Sequence, residues 1–174
     1  IDADNFNSYG LNADAYALDV KGKTVAFVIG NSWSDVVLMK SIDNGSTWTK
    51  TVIAKHPIPM FYDDTLVQEP IEWFDENFSI TLDASGNTHV FSGVMAYSNI
   101  LIGDNSYEYY PLTQGLKYWN ETTTTWTLIA NVIDENNNGT IDINDKNNIA
   151  DYSNSSLTSF PSSAIAENGD LYLI

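Results

Sequence analysis

The sequence predicts an all-β protein built from antiparallel hairpins. Three segments alternate apolar and polar residues around a glycine turn. They are residues 17–28, 81–92 and 165–174. Two further hairpins place a tryptophan ten positions after a leucine, Leu38 to Trp48 and Leu116 to Trp126. Because 43% of the 174 residues are hydrophobic, we expect a packed domain rather than a disordered chain.

The clearest turn in the sequence is the polar stretch at residues 41–48, between strand-like runs at 35–40 and 49–54. Asp43 is placed to accept hydrogen bonds from the backbone amides two residues further on. Gly45 is suited to the positive φ that such a turn requires. Trp48 then opens the return strand with a ring large enough to cover the turn.

This turn carries the pattern S-x-D-x-G-x-T-W, formed by Ser41, Asp43, Gly45, Thr47 and Trp48. The pattern resembles the Asp-box, or bacterial neuraminidase repeat, of sialidase-like proteins. The resemblance implies a β-propeller of four-stranded antiparallel blades, with the box between the third and fourth strands. In the second hairpin, residues 120–123 replace the Asp/Gly turn, so that box is degenerate. Asp-box propellers have many roles, so the motif indicates the fold more strongly than the activity.

Repeats of four strands predict about two and a half propeller blades. The predicted units are blade one at residues 1–54, an insertion at 55–77, blade two at 78–130 with an inner insertion at 96–114, a third insertion at 131–161, and the start of a third blade at 162–174. Since a closed ring needs at least about four blades, we expect the chain to be part of a longer one. All three insertions would lie on one face, which is therefore the predicted binding surface.

A twelve-residue calcium loop is predicted at residues 134–145. Oxygen donors fall at positions 1, 3, 5, 9 and 12, with glycine at 6 and a backbone carbonyl at 7. The predicted ligands are Asp134, Asn136, Asn138, Thr140, Asp142 and Asp145. The spacing resembles dockerin and EF-hand loops, although Asp145 replaces the usual glutamate and flanking helices are missing. We expect Ca²⁺ to stiffen a surface loop; the alternative is a solvated Asn/Asp-rich turn.

Aromatic and acidic residues of the first two insertions are the predicted ligand contacts. They are Tyr62, Asp63, Asp64, Trp73, Tyr107, Tyr109 and Tyr110. Carboxylates beside aromatic rings suit sugars, and exposed tyrosines suit glycans or proteins. The alternatives are a proline-stiffened loop that packs its aromatics on the sheet, and tyrosines in an edge strand. No spacing identifies a base or a nucleophile, so no catalytic residue is predicted.

Charge and composition exclude several classes of function. The net charge is −16 and the pI is about 4.1, so nucleic acid and anionic membranes would be repelled. No apolar run reaches the roughly 20 residues of a membrane span. The seven basic residues are all lysine. Sialidases hold the substrate carboxylate with three arginines, whose planar forks lysine does not replace, so the absence of arginine argues against sialidase activity.

The sequence therefore predicts a non-catalytic binding or scaffolding propeller of a secreted or cell-surface bacterial protein. It would engage a partner protein or a glycan through the insertion-bearing face. The alternative is a carbohydrate-active enzyme, a glycoside hydrolase or sialidase-like protein with catalytic residues in further blades. A central funnel lined by Asp63, Asp64, Glu69 or Glu72 would favour this enzyme. The acidic, Asn-rich composition without arginine or cysteine predicts an extracellular location, with type IX secretion as the candidate route.

Overall fold

The computed structural model describes residues 15–58, 68–99, 108–110, 115–131 and 158–174. Within these ranges the chain is all-β, without a helix. The strands, in chain order, are β1 (Tyr16–Lys21), β2 (Thr24–Ile29), β3 (Val36–Ser41), β4 (Thr49–Ala54), β5 (Gln68–Leu82), β6 (Thr88–Asn99), β7 (Glu108–Tyr110), β8 (Leu116–Asn120), β9 (Thr127–Ala130), β10 (Ser163–Ile165) and β11 (Leu171–Leu173).

The strands form two antiparallel sheets and a separate hairpin. The first sheet has the order β1-β2-β3-β4, and the second has the order β5-β6-β8-β9 with β7 paired to β6. Strands β10 and β11 pair only with each other among the described residues. The predicted all-β class and the antiparallel order of successive strands are thereby confirmed. No sheet closes on itself in the described part of the chain.

The hydrophobic core lies between the two sheets. Alternate residues of β2, such as Ala26 and Val28, are fully buried because the pleat turns them toward the second sheet. The second sheet contributes Phe74, Ile80 and Leu82, among others, to the same cluster. Trp126 contacts both sheets. Its Nε1 donates to the carbonyl of Ile53 in the first sheet at 2.9 Å, and its ring centroid lies 4.5 Å from that of Phe74 in the second.

Strand β5 is longer than the repeat pattern predicts. It begins at Gln68, inside the segment expected to be an insertion, and its pairing with β6 shifts register a first time between Gln68 and Ile71. The pairing is interrupted between Phe74 and Phe78, where a bulge puts extra residues into β5. The part of β5 before this bulge, its upper stretch, pairs with the end of β6, which also receives β7 on its other side. This extension occupies part of the two segments expected to be inserted loops.

The antiparallel order gives the assembly two different ends. The turn-bearing end carries the short hairpin turns, at residues 22–23, 42–48, 83–87, 121–126 and 166–170. Hydrogen bonds join the sheets there: Lys21 Nζ donates to the carbonyl of Leu82, and Lys40 pairs with Glu121 at 2.6 Å. At the opposite, loop-bearing end, β4, β6 and β9 finish and β5, β8 and β10 begin.

Replacing Trp126 with phenylalanine tests whether this residue joins the two sheets. The variant keeps most of the ring but leaves the Ile53 carbonyl without its indole donor. We expect the free energy of unfolding to fall by about 1–3 kcal/mol, the cost of an unsatisfied, partly buried acceptor. Urea unfolding followed by circular dichroism measures this change. Trp48→Phe is the matched control, because its indole bonds only to Gly45 within one hairpin. Equal losses in the two variants would contradict the inter-sheet role.

Candidate binding site

A groove with a volume of about 180 Å³ opens at the loop-bearing end, where β1, β5 and the segment before β10 meet. We call it the Glu76 groove; its lining residues are Tyr16, Glu76, Asn77, Phe78, Phe160 and Pro161. The residues Tyr16 and Phe160 are 52% and 60% exposed. Exposed aromatic rings beside a carboxylate form a surface with both apolar and ionic contacts to offer.

Glu76 is held in place by the β5 bulge and by the first sheet. Its φ is +71°, a left-handed conformation that side chains other than glycine rarely adopt. The amide and the hydroxyl of Ser32 both donate to its Oε1, at 2.9 and 2.7 Å. Phe160 also has a positive φ of 56°, so two strained residues border the same groove. Such strain concentrates at functional sites, where the surroundings hold it in place.

Behind the groove lies a buried aromatic layer that contains one of the predicted ligand contacts. Trp73 is only 8% exposed, and its Nε1 donates to the carbonyls of Asn31 and Ser34 at 3.2 and 3.0 Å. Its ring centroid is 4.7 Å from that of His56, in an edge-on arrangement. The structure thus places Trp73 in the core that supports the loop-bearing end. Trp73 belongs to strand β5 and not to a loop.

His56 is an ionisable residue within this aromatic layer. Its Nε2 lies 3.1 Å from the carbonyl of Ser32, and the Ile58 amide donates to Nδ1 at 3.1 Å. Both bonds are satisfied by a neutral ring with its proton on Nε2. Burial lowers the pKa of His56 below 6.5, against the opposing effects of the Ile58 and Ser32 backbone groups and the Asp35 charge. The backbone amide of His56 donates to Asp35 Oδ1 at 2.7 Å.

Of the three predicted contact tyrosines in the second insertion, two lie within the described residues and one lies outside them. Tyr109 and Tyr110 lie in β7, at the edge of the extended second sheet. Tyr109 is 39% exposed, whereas the Tyr110 hydroxyl lies 3.1 Å from Ser98 Oγ. They therefore occupy an edge strand, one of the two environments considered from the sequence. Tyr107 lies outside the described residues, as do Tyr62, Asp63 and Asp64.

The Asp-box-like hairpin lies at the turn-bearing end and satisfies its own polar groups. Asp43 accepts hydrogen bonds from the amide and hydroxyl of Thr47, at 2.8 and 2.7 Å, and from the Ser41 hydroxyl at 2.8 Å. The amide partner is thus four residues on, not two as predicted, because the turn is wider. These bonds lower the pKa of Asp43, that from the Thr47 amide most. Gly45 has a φ of +83°, and the Trp48 Nε1 donates to its carbonyl at 2.9 Å.

The second hairpin replaces these contacts with others. The Oδ1 of Asn120 accepts from the amides of Thr122 and Thr123, at 3.0 and 2.9 Å. Partial burial works to raise the pKa of Glu121, but the bonds from Lys40 and from the Thr88 amide outweigh it and lower the pKa. This turn therefore contacts the first sheet instead of folding only on itself.

The predicted calcium ligands, from Asp134 to Asp145, lie outside the described residues. Within the described ranges, no three His, Asp or Glu side chains are grouped closely enough to hold a metal ion. Glu72 forms an ion pair with Lys117, and His89 is a sheet residue whose Nδ1 lies 2.7 Å from the Tyr118 hydroxyl. Among the same residues there is no helix with the length and apolarity to cross a membrane.

Sequence reasoning missed the residues that form the Glu76 groove. Tyr16 is the first residue of β1, and Phe160 precedes β10. Aligning the three glycine-turn hairpins would have indicated that their first strands begin at the same end. The bulge that carries Glu76 has no such signal, since residues 75–77 read as a polar interruption of an apolar run.

No protein-family model matches the chain, and no curated protein and no solved structure matches it. Functional assignment therefore depends on the geometry of the loop-bearing end.

Acidification should destabilise the protein through His56. Because its pKa is lower in the folded than in the unfolded chain, the unfolded chain takes up the proton first as the pH falls. The stabilisation that neutral His56 contributes is fully present above pH 6.5. It decreases as the pH falls from 6.5 toward the lower pKa of His56 in the folded chain. The slope is at most about 1.4 kcal/mol per pH unit.

Urea unfolding at several pH values between about 8 and 5.5 measures this slope. His56→Gln should flatten the pH dependence, and His89→Gln is the matched control that should retain it. An unchanged slope in His56→Gln would assign the pH dependence to other groups.

Proposed function

We propose that the two sheets and the third hairpin are consecutive blades of an Asp-box β-propeller. The order of strands within each sheet supports this, since successive strands are neighbours. The first strands β1, β5 and β10 also contact one another in sequence, as strands around a central axis would. The self-contained hairpin around Asp43 is the third support. In this arrangement the Glu76 groove lies beside the axis, at the end that carries the long connections.

We propose that this propeller is a non-catalytic binding or scaffolding module of a secreted or cell-surface bacterial protein. Its loop-bearing end would engage a partner protein or a glycan. The observation that carries the proposal is the Glu76 groove, with two exposed aromatic rings and a fixed carboxylate on a rigid sheet scaffold. Exposed Tyr109 on β7 adds contact area at the same end. Tyrosines and other aromatics are enriched in binding surfaces because they offer large, rigid contacts.

The rival enzymatic function has no specific support among the described residues. Glu72, one of the acids expected in a catalytic funnel, is paired with Lys117. Glu76 accepts two hydrogen bonds from Ser32, which fix the position of its Oε1.

Photo-crosslinking in the native host tests which end binds the partner. Benzoylphenylalanine would replace Tyr109 at the loop-bearing end or, as the matched control, Ile42 at the turn-bearing end. Both side chains are exposed, at 39% and 72%. We expect crosslinked adducts of protein or glycan from position 109 and none from position 42. Adducts from position 42 alone, or equal yields from both, would overturn the proposed binding end.

We propose in addition that residues 134–145 bind one Ca²⁺ ion through the six predicted ligands. The support is the spacing of oxygen donors in the sequence and the clustering of acids there, whose mutual repulsion a divalent cation would relieve. Ca²⁺ would order a long connection at the loop-bearing end rather than take part in chemistry.

Calcium removal should then lower the melting temperature. A ligand at a hundred times its Kd adds about 2.7 kcal/mol to stability, which a chelator would remove. Asp142→Asn should reduce the bound calcium, measured by mass spectrometry of the metal content, and should abolish the effect of the chelator on melting. Glu167→Gln, an exposed acid in the β10–β11 turn, is the control that should retain both. A melting temperature independent of calcium in the unaltered protein would refute the site.

A further inference from the structure

A second groove, larger than the Glu76 groove, opens near the turn-bearing end, between the first sheet and a turn of the second sheet. Its volume is about 280 Å³. We call it the Lys40 groove; among its lining residues are Leu38, Lys40, Ile42, Thr49, Thr51 and Glu121. The first five belong to the β3–β4 hairpin, and Glu121 lies in the turn between β8 and β9.

Strand pairing puts four of these side chains on one face of the first sheet. Leu38 lies opposite Thr51, and Lys40 lies opposite Thr49. Residues directly opposite each other, and residues two apart in one strand, point to the same face. That face is the one toward the second sheet, because Leu38 belongs to the shared core and Lys40 pairs with Glu121. Thr49 and Thr51 extend it to the edge strand β4, where both are exposed.

The Lys40 groove keeps hydrogen-bonding capacity that the protein does not use. An ammonium group has three donors, and the structure gives Lys40 Nζ one partner, Glu121 Oε2 at 2.6 Å. That oxygen also accepts from the Thr88 amide at 3.0 Å, and a carboxylate has about four acceptor positions in all. Within the described part of the chain, no hydrogen bond engages the hydroxyls of Thr49 and Thr51. The groove therefore offers donors, acceptors and two hydroxyls that can act as either.

The charge and the size of the groove select among ligands. Because Lys40 and Glu121 neutralise each other, an anion would meet Glu121 and a cation would meet Lys40, whereas a neutral molecule with several hydroxyls can bond to both. The volume of about 280 Å³ lies at the lower limit of small-molecule pockets, roughly 300–1,000 Å³, and suits one sugar-sized ring. Buried Leu38 and exposed Ile42 supply apolar surface for the carbon-bound hydrogens of such a ring.

We propose that the Lys40 groove binds a neutral polyhydroxy molecule of the size of one sugar ring. Lys40 Nζ would donate to hydroxyl oxygens of the ligand, and the Glu121 carboxylate would accept from its hydroxyl groups. Thr49 and Thr51 would bond to the hydroxyls nearest β4. Hydrogen bonds to charged groups are roughly twice as strong as neutral ones. The inference goes beyond the proposed function, since it concerns a small ligand at the other end of the molecule from the Glu76 groove.

Titration with matched pyranosides tests the proposal. The neutral probes are the methyl α-pyranosides of D-glucose, D-mannose and D-galactose. For the ring that binds most tightly, the 6-carboxylate and the 2-amino derivative carry one negative or one positive charge on the same ring. Amide chemical shifts of the ¹⁵N-labelled chain report binding. We expect a neutral probe to shift the amides of Lys40, Thr51 and Glu121 saturably, with a Kd of about 1–10 mM, and both charged derivatives to bind at least about threefold less tightly.

Two threonine variants separate the site from a general effect of composition. Thr51→Val removes one hydroxyl and keeps a β-branched side chain in an exposed strand, so the fold should be retained. It should weaken binding about fivefold, the effect of one net hydrogen bond. Thr127→Val makes the same change at an exposed residue of β9 outside the groove, and should leave binding unchanged.

Glu121→Gln tests the choice of a neutral ligand. It leaves the charge of Lys40 unbalanced, so the preference should shift about fivefold from the neutral ring toward its 6-carboxylate. If this variant loses its folded spectrum, Thr51→Val decides in its place.

No saturable shift from any neutral probe up to about 100 mM, tighter binding of a charged derivative, or equal effects of the two threonine variants would each overturn the inference. Failure of every probe would leave the proposed function standing, since crosslinking from position 109 tests the binding end independently.

The disaccharide of the best-binding ring, as its methyl glycoside, separates two sources of the ligand. Binding at least about fivefold weaker than that of the single ring identifies a free molecule, whereas equal or tighter binding identifies the end of a glycan. Both results support the ligand class. Glycan adducts from position 42 would accompany the second result, and would contradict the proposed binding end rather than this site.

Discussion

The fold depends on strand β5, which has to serve two packing interfaces at once. It is the first strand of the second sheet, and its side chains Ile80 and Leu82 enter the core against the first sheet. On the other face, Ser79 meets Ser163 of the third hairpin, with hydroxyl oxygens 2.7 Å apart. At the turn-bearing end, the amide of Leu82 donates to Asp19 at 2.8 Å, which fixes β5 beside β1. A change in the register of β5 would exchange these two faces.

The bulge in β5 follows from this constraint. The lower stretch of the strand packs between the first sheet and the third hairpin, whereas the upper stretch pairs with the part of β6 that also receives β7. The extra residues between Phe74 and Phe78 join the two stretches, at the cost of a positive φ at Glu76. Ser32 offsets that strain with two hydrogen bonds. The same local irregularity therefore joins the two parts of the sheet and positions the carboxylate of the groove.

The sequence predicts the repeating parts of this architecture better than its irregular parts. Glycine turns such as those at Gly22 and Gly86, both with positive φ, follow from alternation and turn chemistry. The bulge at Glu76 does not, because its conformation is imposed by packing on both faces of β5 and not by local propensity. The juxtaposition of Tyr16 and Phe160 is equally hidden, since it joins residues far apart in the chain. For Asp43, the sequence predicts the turn but not its amide partner, which is Thr47, four residues on, because the turn is wider.

The strongest motif in the sequence and the best candidate site lie at opposite ends of the molecule, for a physical reason. The hairpin around Asp43 binds its own amides and hydroxyls, and the Trp48 ring closes over Gly45. The second hairpin differs, since its Glu121 binds Lys40 of the first sheet, whereas the turn around Asp43 satisfies its own side-chain groups. Self-satisfaction also leaves it few groups with which to recognise a partner. At the loop-bearing end, the Glu76 carboxylate is instead held across sheets, by the amide and the hydroxyl of Ser32.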